Sequence, residues 1–181
     1  MAKCAKRLCP LDEIWLMPAG HSPNKDELSM TDAIHRFQMC EIVAEQYPWL
    51  FTNRLEIDSQ ETSYTYRTLE KLTKAYSQHR FFFIMGADSL NYFEKWVHPE
   101  IIAQLCTILV IPRDTCLVEA LVEKCEELKK LFPCNIRVLS CSQYPVSSTE
   151  IRQNLSNGAN NNPEILPEVF SYIKKNHLYG T

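Results

Sequence analysis

Residues 144–155, YPVSSTEIRQNL, carry the side chains best suited to chemistry. Ser147, Ser148 and Thr149 offer three hydroxyls in a row, and Arg152 stands one turn further on. A serine followed three residues later by a glutamate, here Ser147 and Glu150, is the signature of a helix start capped by that serine. The same arrangement gathers hydroxyls, backbone N–H groups and a cation around one point, which suits a phosphate. An isolated S-x-x-E is more often a helix start and nothing else. The elements around it decide between cap and cradle.

Those elements alternate. Short runs rich in β-branched and aromatic residues lie at 13–18, 50–57, 81–86, 107–112 and 135–140. Helical patterns lie between and after them, at 30–46, 66–78 and 115–131, with a last one opening at Pro167. Alternating strands and helices predict parallel βαβ units in an open, doubly wound, Rossmann-like α/β sheet with helices on both faces. Such sheets bind ligands outside the carboxyl ends of their strands. The segments at those ends are PAGHSPNK, SQETSYT, GADS, PRD and SSTEIR. Each is polar or glycine-bearing and three carry a cation, which raises the phosphate reading of the last above its isolated value.

Composition sets the outer limits. The chain has 181 residues, 45% hydrophobic and 23% charged, as expected of one globular domain with a sizeable core. A net charge of −3 lacks the basic footprint of a nucleic-acid binder. The longest apolar runs, FFFIM and TILVIP, are strand-sized, so no membrane partner is expected. The eight cysteines contain no C-x-x-C and no neighbouring histidine cluster, which argues against a metal site. They are expected to be reduced and buried in a cytoplasmic protein.

MPAGHSPNK, HRFQM, SYTYRTL, IMGADSLNYFEKW, IPRD, VSSTEIR and LPEVFSYIKKNHLY occur in an order and spacing that resembles the bacterial nicotinate-nucleotide adenylyltransferases, from about residue 8 to Tyr179. GADSL…W together with SSTEIR is the specific part of the likeness. The resemblance implies adenylyl transfer from ATP, with Mg²⁺, to nicotinate mononucleotide, giving deamido-NAD and pyrophosphate. It implies that Ser147, Ser148, Thr149 and Arg152 meet the ATP phosphates, and that Gly86 and Asp88 lie near the nucleotide ribose. It implies an acceptor pocket of Tyr64, Thr65 and Trp96, with Lys25 reaching phosphate. Trp96 has a second reading as a core residue, Asp88 as a helix cap and Lys25 as a solvated loop lysine. His35 and Arg36 match a family pair and are expected to be structural.

Two departures stand out. The family carries an Asp where this chain has Arg67, at the start of the helix that follows SYT. The family's G-x-F-D-P turn and H-x-G-H helix start have no counterpart in this sequence, so no catalytic residue is assigned. The expectation is one nucleotidyltransferase-like domain over 1–181, N-terminally truncated relative to the family, lacking its first strand and poor or inactive as a catalyst. A leftover helix is expected from Met1 to about Cys9, and association into a homo-oligomer is allowed. The alternatives are a non-catalytic nucleotide-binding or interaction protein of this fold, or an adenylyltransferase with another acceptor such as nicotinamide mononucleotide or pantetheine phosphate.

Overall fold

A computed structural model describes residues 1–23, 31–112, 118–140, 146–159 and 161–181. The chain's contacts divide it into two compact units, one of Met1–Leu11 with Tyr64–Tyr144, the other of Asp12–Ser63 with Pro145–Thr181.

The second unit opens with β1 (Ile14–Leu16), followed by α2 (Ala33–Ala44) and β2 (Leu50–Thr52), α1 being the earlier helix Ala2–Leu8 of the first unit. β1 and β2 are parallel, with Ile14 opposite Leu50 and Leu16 opposite Thr52. Strand pairing ends well short of the expected residue 57. Asn53 Oδ1 accepts the Leu55 N–H at 2.9 Å, and this local turn takes the chain out of extended geometry. Asp32, the last residue of the cap region anticipated before α2, accepts the Ile34 N–H at 3.0 Å. Only Phe37 of α2 is fully buried within a mixed helix surface.

The first unit holds α3 (Thr65–Ala75), β3 (Phe81–Gly86), the single turn α4 (Ala87–Leu90), α5 (Pro99–Leu105), β4 (Cys106–Ile111), α6 (Val118–Leu131) and β5 (Asn135–Val138). Its three strands are parallel in the order β3-β4-β5, with Phe81 opposite Cys106 and Thr107 opposite Asn135. β4 is central, and its Ile108, Leu109 and Val110 are fully buried. A strand covered on both faces reads as the continuous apolar run seen at 107–112. Around it pack Leu69, Leu90, Phe93, Ile102, Leu121 and Leu128 from the flanking helices.

The remaining helices, α7 (Ser148–Ser156) and α8 (Pro167–Lys175), belong to the second unit. Leu155, Val169, Ile173 and Leu178 form its buried cluster, packed against Met39, Ile42 and Val43 of α2.

The architecture is the expected α/β arrangement of parallel strands flanked by helices, open rather than closed. Its five described strands fall into two sheets, not one. Among the described residues β1 and β3 are edge strands, each with a single ladder neighbour, β2 and β4 respectively. α1 falls where a helix from Met1 to about Cys9 was expected. α5 is an addition, since periodicity gave no helix there; its signal was Pro99 at the first helical position.

Of the described cysteines all but Cys4 are reduced as expected, with Cys40 and Cys134 only partly buried, and Cys116 and Cys141 lie outside the described residues. Cys9, Cys40, Cys106, Cys125 and Cys134 are free. Burial pushes the Cys106 thiol up to about 12, and burial likewise raises Cys40, Cys125 and Cys134. These groups behave as small hydrophobes, since the reactive species is the thiolate. Cys4, expected to be reduced, is disulfide-bonded. Which thiols come within bonding distance is a tertiary property, and sequence spacing did not encode it.

Candidate active site

The phosphate-cradle residues open α7. Ser147 is its N-cap, and Ser147 Oγ accepts the Glu150 N–H at 3.4 Å, forming one arm of the anticipated capping box. Ser148 and Thr149 are its first two residues, and both are exposed, as is Arg152 one turn on. Hydroxyls, the positive end of the helix and a guanidinium therefore face water along one short segment. A cavity of about 450 Å³ lies towards the other end of α7, lined by Glu150, Asn154, Asn157, Asn162 and Glu164 among others. Two carboxylates and no cation make that cavity a poor phosphate site.

The loop after β1 is closed against the segment that leads into α3. Gly20 N donates to Ser63 Oγ at 3.0 Å, Ser63 N donates to His21 O at 2.8 Å, and His21 bridges Thr62 in parallel. A Cβ on Gly20 would stand 2.2 Å from the Glu56 carbonyl oxygen, so the approach admits only glycine. Arg36 Nε donates to Thr31 O at 2.9 Å and Arg36 Nη2 to Gly20 O at 3.3 Å. His35 Nδ1 lies 2.8 Å from Tyr172 Oη and joins α2 to α8. Both members of the HR pair have the structural role expected of them. Lys25 lies outside the described residues.

In the first unit, Gly86 ends β3 and caps α4, and Asp88 is the exposed second residue of that turn. The N-cap alternative for Asp88 is thereby corrected: the cap position is Gly86, and no side chain bonds there. Gly86 has an ordinary negative φ of −80°, and among the described residues a Cβ there would meet only the Met1 Cε at 4.0 Å. Packing against the described residues does not require a glycine at this strand end.

Tyr64 is the N-cap of α3 and Thr65 its first residue, with no side-chain cap bond at that end. Arg67 Cζ stands 5.6 Å over the Tyr64 ring and 5.7 Å over the Tyr66 ring, and Arg67 Nε donates to Tyr66 Oη at 2.9 Å. Tyr66 meets the His98 ring edge-on at 4.7 Å. His98 has a left-handed backbone with φ 52° and contacts Glu100 Oε1 at 3.1 Å. Trp96, two residues earlier, is half-buried and edge-on to Phe83 at 6.0 Å and Phe93 at 5.5 Å. Its Nε1 is buried with no hydrogen-bond partner among the described residues. Both readings of Trp96 thus have a physical basis: its edges pack on the core, and it retains exposed surface and an unmet donor. Tyr66, Arg67 and His98 were not assigned to the pocket from sequence. The Tyr66–His98 contact joins residues 32 apart along the chain, beyond the reach of local periodicity, whereas the ring contacts of Arg67 are with close sequence neighbours.

Comparison with known proteins adds the family. A family model described as cytidylyltransferase-like matches residues 1–154. A probable nicotinate-nucleotide adenylyltransferase of Clostridium botulinum is 32% identical over 175 residues, covering 97% of this chain and 86% of the relative. One of Flavobacterium johnsoniae is 32% identical over 169 residues, covering 93% and 84%. Among solved structures, Plasmodium falciparum nicotinic acid mononucleotide adenylyltransferase complexed with APC superposes with a TM-score of 0.72 at 21% identity. That match covers 98% of this chain and 89% of the other, and it bears on the fold alone. The chain belongs to the cytidylyltransferase-like family and, within it, to the nicotinate-nucleotide adenylyltransferases.

Proposed function

We propose that the protein transfers the adenylyl group of ATP to nicotinate mononucleotide, giving deamido-NAD and pyrophosphate in NAD biosynthesis. The observation that carries this reading is the likeness to relatives of that name over 97% of the chain. The capped, hydroxyl-rich start of α7 is in accord with it.

The acceptor's own phosphate oxygen attacks the α-phosphorus of ATP, and the bond from that phosphorus to the oxygen bridging to the β-phosphate breaks. No protein nucleophile is needed. The protein's part is positioning and stabilising phosphate charge. Ser147, Ser148, Thr149 and Arg152 take the ATP phosphates, with Lys25 as a further cation. Gly86 allows close approach of the protein backbone to the nucleotide, and Asp88 accepts from ribose hydroxyls. Tyr64 and Thr65 border the acceptor, with Trp96 stacking on its pyridine ring. Mg²⁺ enters as the salt of ATP, held by phosphate oxygens. Among the described residues no group of three or more His, Cys, Asp or Glu side chains is placed to hold a metal ion. We place the reaction in the cytoplasm, in a single nucleotidyltransferase domain.

The test is pyrophosphate release from ATP and nicotinate mononucleotide by the full chain and by Arg152→Ala. We expect measurable release that falls by ~2–4 kcal/mol in transition-state stabilisation in the variant, the scale of a lost charge-stabilising donor. Equal rates in the two proteins remove Arg152 from the site. Nucleotide binding with no release at all makes the chain a binding protein.

A further inference from the structure

We infer that the ion pair between Glu94 and Lys124 positions the Trp96 indole, and so supports acceptor binding without touching the acceptor. The inference rests on the reading above in which Trp96 stacks on the pyridine ring. Trp96 closes a single 3₁₀ turn, Phe93–Lys95, and its backbone N–H donates to Phe93 O at 3.0 Å. The indole has no directional anchor of its own, because among the described residues its buried Nε1 has no hydrogen-bond partner. Its ring contacts, with Phe83 at 6.0 Å and Phe93 at 5.5 Å, are edge-on packing. The orientation of the ring therefore depends on how the turn beneath it is held.

Two residues of the turn hold it. Phe93 is fully buried in the core of the first unit and sets the depth of the turn. Glu94 reaches across to α6, where Lys124 Nζ donates to its Oε1 at 2.9 Å, between partners 30 residues apart along the chain. Only 19% of the Lys124 side chain and 28% of the Glu94 side chain are exposed, so water competes weakly for this charge-assisted bond. Glu127 also lies 3.8 Å from Lys124 Nζ, but it is 66% exposed and belongs to α6 itself, so it ties nothing to the turn. Glu94 Oε2 is buried without a hydrogen-bond partner, so removing Lys124 alone leaves a poorly compensated carboxylate two residues from Trp96. Glu94 and Lys124 are positioning residues, and Trp96 is the group that meets the ligand.

The experiment is isothermal calorimetry of nicotinate mononucleotide and, separately, of ATP. It uses the full chain, Lys124→Met, Lys124→Arg, the paired variant Glu94→Gln/Lys124→Met, Trp96→Ala, and Trp96→Ala combined with the paired variant. Lys124→Met and the paired variant should weaken mononucleotide binding about two- to tenfold, the scale of one aromatic stacking contact, and leave ATP binding unchanged. Lys124→Arg should retain most of the mononucleotide affinity. In the Trp96→Ala background the paired changes should cause no further loss, because the ring they position is gone. Should Lys124→Met fail to fold, the paired variant, which buries no unpaired charge, decides the matter. Native mononucleotide affinity in the paired variant, equal losses for both ligands, or a full further loss in the Trp96→Ala background overturns the inference and leaves the acceptor reading standing. Native mononucleotide affinity in Trp96→Ala, or no mononucleotide binding by the unsubstituted chain, overturns both.

Discussion

Two glycines with opposite surroundings separate packing from ligand approach. At Gly20 the carbonyl oxygen of Glu56 occupies the space a side chain would need, so the fold itself demands glycine. Gly20→Ala should cost about 1–3 kcal/mol, the scale of overpacking, read as a lower urea midpoint. At Gly86 the described residues make no such demand. Gly86→Ala should leave stability unchanged or raise it by about 0.4–1 kcal/mol by restricting the unfolded chain. If Gly86 serves nucleotide approach, the same substitution raises the Michaelis constant for ATP while the urea midpoint holds. A Gly86→Ala protein with native ATP kinetics would remove Gly86 from the site. Neither distinction was legible in the sequence, where both positions are simply glycines after strands. The difference lies in what stands 36 residues away at Glu56 and at the chain's first residue.

A second residue-scale expectation concerns acid stability. Lys124 Nζ donates to Glu94 Oε1 at 2.9 Å with both side chains mostly covered, and this hydrogen bond holds the Glu94 carboxyl below its usual 4.5. A depressed folded value means that the pair's contribution is fully present above about pH 4.5 and is lost as pH falls through the folded value. The contribution is about 1 kcal/mol, at the upper end for a partly exposed pair. Glu94→Gln should therefore narrow the stability gap between pH 6 and pH 3 in urea titrations. An identical gap in both proteins would show that the pair contributes nothing.

At the scale of elements, sequence pattern works where the cause of an element is local. The start of α7 was legible because Ser147 and Glu150 lie within one turn, and β3 and β4 because burial on both faces leaves an unbroken apolar run. β2 was read too long because its apolar pattern continues past Asn53, where a side-chain hydrogen bond turns the chain away. The α7 cap also supplies a graded prediction. At 3.4 Å the Ser147 bond is long, so Ser147→Ala should cost about 0.5 kcal/mol, the low end for a cap. If Ser147 also meets phosphate, the loss in ATP use exceeds that figure several times over. A kinetic loss no larger than the stability loss would return Ser147 to the role of a helix cap alone.

At the scale of the molecule, the sequence suggested one sheet and one core, whereas the contacts resolve two units with a buried cluster in each. The chain passes from one unit to the other at residues 11–12, 63–64 and 144–145. No run of periodicity marks these crossings, because each unit is assembled from segments far apart in sequence. The second unit depends on both of its segments. Met39, Ile42 and Val43 of α2 pack against Leu155, Val169 and Ile173, and His35 meets Tyr172 at the same junction. Ile173 is 3% exposed, so Ile173→Ala removes buried aliphatic contacts and leaves a cavity between α8 and α2. The cost should be about 2–4 kcal/mol, a large share of the 5–15 kcal/mol typical of a domain. If the two units open separately, native-state hydrogen exchange in the variant should speed up across α2, β1 and β2 while β4 keeps its protection. Faster exchange of equal size in β4 would show instead that the two units unfold as one cooperative body.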